Sequence, residues 1–119
     1  MLNLDTHVLL YAFADRLSPR EEELLAAREW SIAAIVLWEI AALARLGRIS
    51  TSLEDPRFRS LLRRIHVWPL DLAVVRALTR LDFRSDPADE LIAATSVAHG
   101  VPLLTRDRRI LASEVVPFA

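Results

Sequence analysis

The sequence predicts an α/β protein, a three-layer α/β/α sandwich in which helices cover both faces of a central parallel sheet. Short apolar segments of strand length alternate with segments whose apolar residues repeat at helical spacing. This alternation is typical of a parallel sheet, because the crossover between two parallel strands usually passes through a helix. The 119 residues contain neither a repeat nor a low-complexity linker, so we expect one domain spanning residues 1–119.

In the first half of the chain, apolar periodicity and capping residues together define the predicted elements. Ser18 and Pro19 form a typical N-cap followed by a first-turn proline, and Gly47 is a frequent kind of residue just beyond a helix end. We predict, in order, a strand at 2–5, helices at 6–14 and from 18, a strand at 30–33 and a helix at 34–46.

The second half of the chain continues the same alternation. Asp86 and Pro87 repeat the pattern of N-cap and first-turn proline. Ligands of parallel sheets bind beyond the carboxyl ends of the strands, which is where Asp5 and Asp107 fall. We predict, in order, a helix at 56–65, a strand at 67–70, helices at 71–81 and 86–99, a strand at 101–105, a short helix from 107 and a strand at 115–118.

The composition excludes several classes of function. With 15 basic and 16 acidic residues the charges nearly cancel, so a nucleic-acid site would have to be a local patch. All basic residues are Arg, which excludes a Walker-type phosphate loop and argues against haloacid-dehalogenase-like phosphatases and response-regulator receivers. Two Gly residues exclude a glycine-rich dinucleotide loop, and the lack of Cys excludes thiolate metal sites.

Two further sequence features concern location and metal ligands. No apolar run reaches membrane-spanning length and the N-terminus lacks a basic signal-peptide start, so we expect a soluble cytoplasmic protein without membrane contact. The three His residues show no metal-ligand spacing.

Glu39 stands out because apolar residues surround it on every side of its predicted helix. A carboxylate in such a setting is costly unless it is paired or binds a cation. Metal binding is one interpretation. The alternatives are an Arg partner from elsewhere in the chain, or a helix end that is simply exposed.

Four aspartates near predicted element boundaries have structural interpretations as well. Asp5 and Asp107 could each cap the helix that follows them. Asp86 is interpreted as a structural N-cap, and Asp89 could close a capping box at the third helical position. If Asp5, Glu39, Asp89 and Asp107 cluster, they need a cation, because two unit charges about 4 Å apart repel by about 4 kcal/mol at an effective dielectric near 20. Hard oxygen ligands suit Mg²⁺ or Mn²⁺.

The arginines, threonines and tryptophans can also be interpreted either as structural residues or as parts of a binding site. The Arg residues between 57 and 64 are expected to form a solvated face, whereas Arg106 and Arg108 flank Asp107 and could contact phosphate. Thr6 and Thr105, which are also close to the acids, complete the candidate substrate-binding residues, although taken alone Thr105 is better interpreted as a strand-end hydroxyl than as a ligand. The three Trp residues at 30, 38 and 68 are predicted to lie in the core.

Four segments, taken in order, resemble the acidic motifs of the PIN-domain family over nearly the whole chain. They are LDTHVLLY at 4–11, LWEI at 37–40 followed by RLGRI at 45–49, DPAD at 86–89 with LIAAT at 91–95, and PLLTRD at 102–107. Two positions depart from the usual pattern: Val36 stands where relatives often have Ser or Thr, and Glu90 stands where they often have Arg.

The resemblance implies both a fold and an activity. It implies a parallel sheet of about five strands. It also implies that the acids gather around one or two Mg²⁺ or Mn²⁺ ions, as metal ligands and as catalytic residues, to hydrolyse RNA by metal-activated water and leave a 5′-phosphate and a 3′-hydroxyl. The four residues with this implied role are Asp5, Glu39, Asp89 and Asp107.

Similar small proteins, the VapC-like toxins, are ribonucleases that dimerise and are silenced by a partner antitoxin. Two other functions remain open: a housekeeping PIN nuclease in RNA maturation or DNA processing, and a non-catalytic protein of the same fold that binds RNA or a partner. For the antitoxin, a groove for an amphipathic helix could include some of the apolar residues of the first two helices, although each could equally be core. These residues are Leu9, Leu10, Leu24 and Leu25.

Overall fold

The computed structural model describes residues 1–119 and contains a four-stranded sheet. The strands are β1 (Leu2–Leu4), β2 (Trp30–Ala33), β3 (His66–Trp68) and β4 (Leu103–Leu104), arranged in the order β3-β2-β1-β4. All three pairs of neighbouring strands are parallel, and β1 pairs on one side with β2, where Asn3 lies opposite Ser31, and on the other with β4, where Asn3 lies opposite Leu103. A single parallel bridge between Leu103 and Phe118 occurs where a fifth strand was predicted.

Seven α-helices connect and cover these strands. The predicted helix at 71–81 is divided, because the α-helix Leu72–Ala77 continues as a 3-10 turn at Leu78–Arg80. None of the helices combines the length and the apolar character needed to cross a membrane. The helices are α1 (Thr6–Phe13), α2 (Pro19–Ala26), α3 (Ala34–Arg45), α4 (Pro56–Leu62), α5 (Leu72–Ala77), α6 (Pro87–His99) and α7 (Arg108–Leu111).

Local sequence signals explain where most elements begin and end. Ser18 forms the capping box of α2 together with Glu21, as the position of Ser18 before Pro19 suggested. Gly47 and Gly100 follow α3 and α6 with positive φ angles of 69° and 63°, a conformation that glycine adopts without strain. Strand β3 ends one residue before Pro69, which has no N–H to donate to a sheet.

The core is built from both faces of the sheet and from the inner sides of the helices. Leu2, Leu4 and Ile32 are fully buried in the strands, and Ile40 and Ile92 are fully buried on α3 and α6. The leucines that we considered for an antitoxin groove also belong to this core. Leu9, Leu10 and Leu25 are buried and Leu24 packs against them, so that part of the groove hypothesis is wrong.

The prediction that all three tryptophans are core residues is wrong for Trp38. Its side chain lies on the outer face of α3 and is 62% exposed. Trp30 and Trp68 are partly buried: the Trp30 indole N–H donates to the carbonyl of Leu25, and Trp68 stacks on His99 at 4.2 Å between ring centroids. Apolar character alone could not distinguish the inner from the outer face of α3, because nearly every position of that helix is apolar.

One buried polar contact joins the central strand to α6. The side-chain amide of Asn3 donates to the carbonyl of Ile92 at 3.3 Å and to the hydroxyl of Ser96 at 2.9 Å. Because Asn3 is on β1 and Ile92 is one turn along α6 from Asp89, this contact sets the N-terminal part of α6 against the carboxyl end of β1.

Candidate active site

Asp5 lies at the carboxyl end of β1 and is held by hydrogen bonds to both of its oxygens. Oδ1 accepts from the backbone N–H of Thr6 at 2.7 Å, and Oδ2 accepts from the hydroxyl of Thr105 at 2.6 Å. The residue is 5% exposed. Asp5 does cap α1, as the structural interpretation held, but each carboxylate oxygen has a second lone pair that the cap leaves free.

Glu39 projects from α3 to the same place. One carboxylate oxygen each of Asp5, Glu39 and Asp89 lies within 4.8 Å of the other two. Glu39 is half-buried and forms no ion pair, so the alternative of an Arg partner is not realised. The closeness of three unneutralised acids is therefore the main electrostatic feature of the site.

Asp89 shows the effect of these neighbours most clearly. Burial raises its pKa above the ordinary value of 3.8, and the charges of Asp5, Glu39 and Asp107 raise it further. A hydrogen bond from the Ser85 hydroxyl at 2.9 Å acts in the opposite direction.

Asp89 does not close a capping box. The neighbouring residue Glu90 instead accepts from the backbone N–H of Ser85 at 3.0 Å and is half-buried. The Ser85 hydroxyl remains available to hold the Asp89 carboxylate.

Asp107 lies at the rim of the site and uses one oxygen structurally. Its Oδ1 accepts from the backbone N–H groups of Arg109 at 2.9 Å and Ile110 at 3.2 Å, which caps α7. Asp107 does not belong to the close triad, yet it lines the same cavity and its charge reaches Asp89. The four predicted acids thus face one cavity, with one oxygen of each of three acids within 4.8 Å of the others and the fourth acid at the rim.

The cavity has a volume of about 640 Å³ and is open to solvent. Asp86 also lines it, and the prediction that Asp86 is the N-cap of α6 is confirmed for its backbone but not for its side chain. Its backbone occupies the N-cap position, but the carboxylate accepts no capping hydrogen bond and is exposed. The lining residues are Asp5, His7, Tyr11, Glu39, Leu43, Arg48, Ile49, Asp86, Asp89, Arg106 and Asp107.

The two threonines proposed to bind substrate lie beneath the cavity rather than along it. The Thr105 hydroxyl donates to Asp5 and accepts from the backbone N–H of Asp107 at 3.1 Å. Thr6 is fully buried, and its hydroxyl has no hydrogen-bond partner. These positions suit support of the acids better than contact with a ligand, because neither hydroxyl faces the open volume.

The two arginines proposed to bind substrate differ in their surroundings. Arg106 lines the cavity and makes two hydrogen bonds to Glu21, at 2.6 and 2.9 Å. This contact lowers the Glu21 pKa to about 2, chiefly through the hydrogen bond from Arg106. Arg108 is exposed and is not among the cavity-lining residues.

Sequence reasoning missed Arg48, the second cation at the cavity. Arg48 is exposed and forms no ion pair, so its guanidinium is free for a ligand. The available signal was its place directly after Gly47, where the chain leaves α3 close to the turn that carries Glu39.

The donor set fits a divalent cation. The three close groups are all carboxylates, the hard oxygen ligands preferred by Mg²⁺ and Mn²⁺. Burial first, and then the charges of the neighbouring acids, raise the pKa of Asp89, and a bound cation would offset both effects.

The fold and the acidic site together define a class of protein, and comparison with known families names it. The PIN domain matches residues 3–114, and the chain belongs to that family. Both the resemblance seen in the sequence and the predicted fold class are thereby confirmed.

Comparison with individual proteins identifies one relative by sequence and several solved structures of the same fold. Over 114 residues the chain is 36% identical to "Ribonuclease VapC22" of Mycobacterium tuberculosis, with 90% of this chain and 87% of the relative covered. Among solved structures, it is similar in fold to VapBC2 from Rickettsia felis bound to a promoter DNA fragment, with a TM-score of 0.73, 19% identity and coverage of 100% and 98%. A toxin–antitoxin complex from Klebsiella pneumoniae has a TM-score of 0.71, 19% identity and coverage of 94% and 91%.

Proposed function

We propose that this chain, acting as a single nuclease domain over residues 1–119, is a divalent-metal-dependent endoribonuclease and the toxin of a toxin–antitoxin pair. The observation that carries the metal dependence is the convergence of Asp5, Glu39 and Asp89 within 4.8 Å. The ribonuclease activity is supported by the similarity to a relative named as a ribonuclease, which spans most of both chains.

Asp5, Glu39 and Asp89 would hold the cation, which is Mg²⁺ or Mn²⁺, and Asp107 would face it from the rim. When bound, such a cation activates water and stabilises negative charge on the phosphoryl oxygen. The chain's own contribution is orientation: Thr6 and Thr105 hold Asp5, and Ser85 holds Asp89.

The two arginines that line this acidic cavity, Arg48 and Arg106, would attract the phosphates of an RNA backbone. Arg48 is unpaired and therefore available for a phosphate, and Arg106 retains one guanidinium nitrogen, Nη1, that makes no hydrogen bond. The openness of the cavity suits a strand that passes across the site. An enzyme of this kind would act on RNA in the cytoplasm.

A partner antitoxin would have to silence this site. Solved relatives of the same fold are toxin–antitoxin complexes, which supports such a partner here. A basic side chain of the antitoxin, such as Arg with its bidentate fork, could pair with the triad. Because the leucines of α1 and α2 are core, the partner helix would have to bind another surface.

A homodimer would explain the exposed apolar side chains on the outer face of α3. Trp38 of α3 and Leu46, the C-cap residue directly after α3, are eight residues apart with Ala42 between them, and both are strongly exposed. Leu70 and Leu72, which follow β3, are exposed as well, and Leu70 lines a small cavity together with Ala34 of α3. A second copy of the chain would cover this apolar surface.

The proposal is tested with purified protein and a single-stranded RNA in the presence of Mg²⁺ or Mn²⁺. Cleavage that stops when excess chelator is added, and that is lost in Asp89→Asn, is the expected result. Growth arrest on expression, relieved by co-expression of the neighbouring gene, tests the toxin assignment. Full cleavage in excess chelator would overturn the metal-dependent mechanism.

A further inference from the structure

Arg106 lies between Thr105 and Asp107 of the site, and its side chain forms hydrogen bonds with a part of the chain that is distant in sequence. Its Nε donates to Oε2 of Glu21 at 2.9 Å, and its Nη2 donates to Oε1 of Glu21 at 2.6 Å, across 85 residues of sequence. Nη2 also donates to the carbonyl of Arg16 at 3.2 Å, and the guanidinium carbon stands 4.1 Å from the ring centroid of Tyr11. Every contact of this guanidinium is therefore to α1, α2 or their connection.

Glu21 is itself immobilised. Its Oε1 accepts from the backbone N–H of Ser18 at 2.8 Å, while its own backbone N–H donates to the Ser18 hydroxyl at 3.2 Å. The residue is 6% exposed. A carboxylate held by a capping box on one side and a bidentate guanidinium on the other has little rotational freedom.

The residues on either side of Arg106 bear directly on the metal-binding acids. Thr105 donates to Oδ2 of Asp5 and accepts from the N–H of Asp107. Asp107 faces the cavity and adds to the field at Asp89. A shift of the Arg106 side chain would move this three-residue segment, and with it the hydrogen bond that orients Asp5.

We infer that Glu21 is a positioning residue of the proposed nuclease site, acting through Arg106 to hold the segment from Thr105 to Asp107 against Asp5. The inference rests on the proposed function. Glu21 neither lines the cavity nor belongs to the acidic triad, so its effect is transmitted entirely through Arg106. A residue that hydrogen-bonds a metal ligand directly typically changes metal affinity or activity by a factor of about 10 to 100. Glu21 acts one contact further out, so we expect an effect at the lower end of this range.

The test compares Glu21→Gln with Glu23→Gln, an exposed glutamate on the same helix. Binding of Mn²⁺ alone is measured by calorimetry, and RNA cleavage is measured as separate kcat and KM values. For folded Glu21→Gln we expect Mn²⁺ affinity and kcat to fall about tenfold with little change in KM. Glu23→Gln should match the parent in all three quantities.

Arg106→Lys is the second variant, since the Arg106 side chain is 43% exposed and its replacement should not prevent folding. Lys keeps the charge but loses the bidentate fork, so it should reproduce the fall in Mn²⁺ affinity and kcat of Glu21→Gln. Its KM should rise as well, because Arg106 itself lines the cavity and offers Nη1 to the RNA phosphate. In the double variant the losses of Mn²⁺ affinity and of kcat should not add, because both substitutions remove the same contact between Glu21 and Arg106. Additive losses, or a folded single variant with parental Mn²⁺ affinity and kcat, would overturn the inference.

These outcomes are separate from failure of the proposed function. A parent protein that neither binds Mn²⁺ nor cleaves RNA would overturn the proposed function and the inference together. A fully active parent whose folded Glu21→Gln and Arg106→Lys variants are also fully active would overturn the inference alone.

Discussion

The hydroxyl of Thr105 donates a 2.6 Å hydrogen bond to Oδ2 of Asp5 across 100 residues of sequence. This contact joins the ends of the neighbouring strands β1 and β4, and it fixes the orientation of an acid that is already bound at its other oxygen by Thr6. Asp5 therefore has a fixed orientation, in which one of its carboxylate oxygens lies within 4.8 Å of an oxygen of Glu39 and of Asp89. Preorganisation of this kind reduces the cost of gathering ligands around a cation.

The first prediction concerns this hydrogen bond. Thr105→Val removes the donor while keeping the shape of the side chain, so Mn²⁺ affinity should fall about tenfold. Thr105→Ser keeps the hydroxyl and should remain close to the parent. Calorimetric titration with Mn²⁺ distinguishes the two variants, and equal affinities would show that the hydroxyl does not orient Asp5.

The second prediction concerns the acids themselves. Asp5→Asn and Asp89→Asn should abolish RNA cleavage without unfolding the protein, because each removes a charge from the close triad. Asp86→Asn is the matched comparison, since Asp86 lines the same cavity outside the triad, and it should retain most of the activity. Cleavage assays combined with circular dichroism test this ranking, and an equally inactive Asp86→Asn would place Asp86 in the reaction.

The third prediction is that Asp89→Asn raises the melting temperature of the metal-free protein at neutral pH. Burial and the neighbouring acids raise the folded-state pKa of Asp89 above its ordinary value of 3.8. Between pH 3.8 and that raised pKa, the folded protein therefore binds more protons than the unfolded chain. Lowering the pH through that window stabilises the parent. The difference in melting temperature between Asp89→Asn and the parent should therefore shrink as the pH falls, and vanish below pH 3.8.

Metal addition provides the control for this prediction. Mg²⁺ or Mn²⁺ should raise the melting temperature of the parent, because the cation binds the folded state. Asp89→Asn should gain less, since it has lost one ligand. A variant stabilised by Mn²⁺ as strongly as the parent would place the ion elsewhere.

The fourth prediction is that Glu21→Gln destabilises the fold by about 2 kcal/mol at neutral pH, the scale of a hydrogen bond to a charged group. This loss of stability is smaller than for a fully buried ion pair, because the Arg106 side chain is partly exposed and solvent screens its charge. Because the folded-state pKa of Glu21 is lowered from 4.5 to about 2, its contribution is complete above 4.5 and is lost as the pH falls through 2. Urea denaturation at several pH values measures the difference, which should narrow only under acidic conditions.

The fifth prediction concerns assembly. Trp38→Glu or Leu46→Glu places a charge on the exposed apolar face of α3 and should convert a dimer into a monomer. Leu111→Glu alters an exposed leucine on α7 and serves as the control. Sedimentation velocity measures the mass of each species, and a parent protein that is already monomeric would reject the homodimer.

The sequence by itself determined the order of the elements and most of their boundaries. Apolar periodicity located the four strands of the sheet, and Ser18, Pro87 and Gly47 marked helix ends correctly. These signals succeed because capping and periodicity depend on residues within about one helical turn of each other. The four acidic segments also indicated the family, which the match over residues 3–114 confirms.

Only the tertiary structure decided which of these residues meet. Asp5, Glu39 and Asp89 come together because parallel strands and the Asn3 contact with α6 bring distant segments to one edge of the sheet. The same packing turned Trp38 outwards, and it bound Arg106 to Glu21 on a helix 85 residues away. Contacts of that range depend on how whole elements pack, and no local pattern in the chain encodes them.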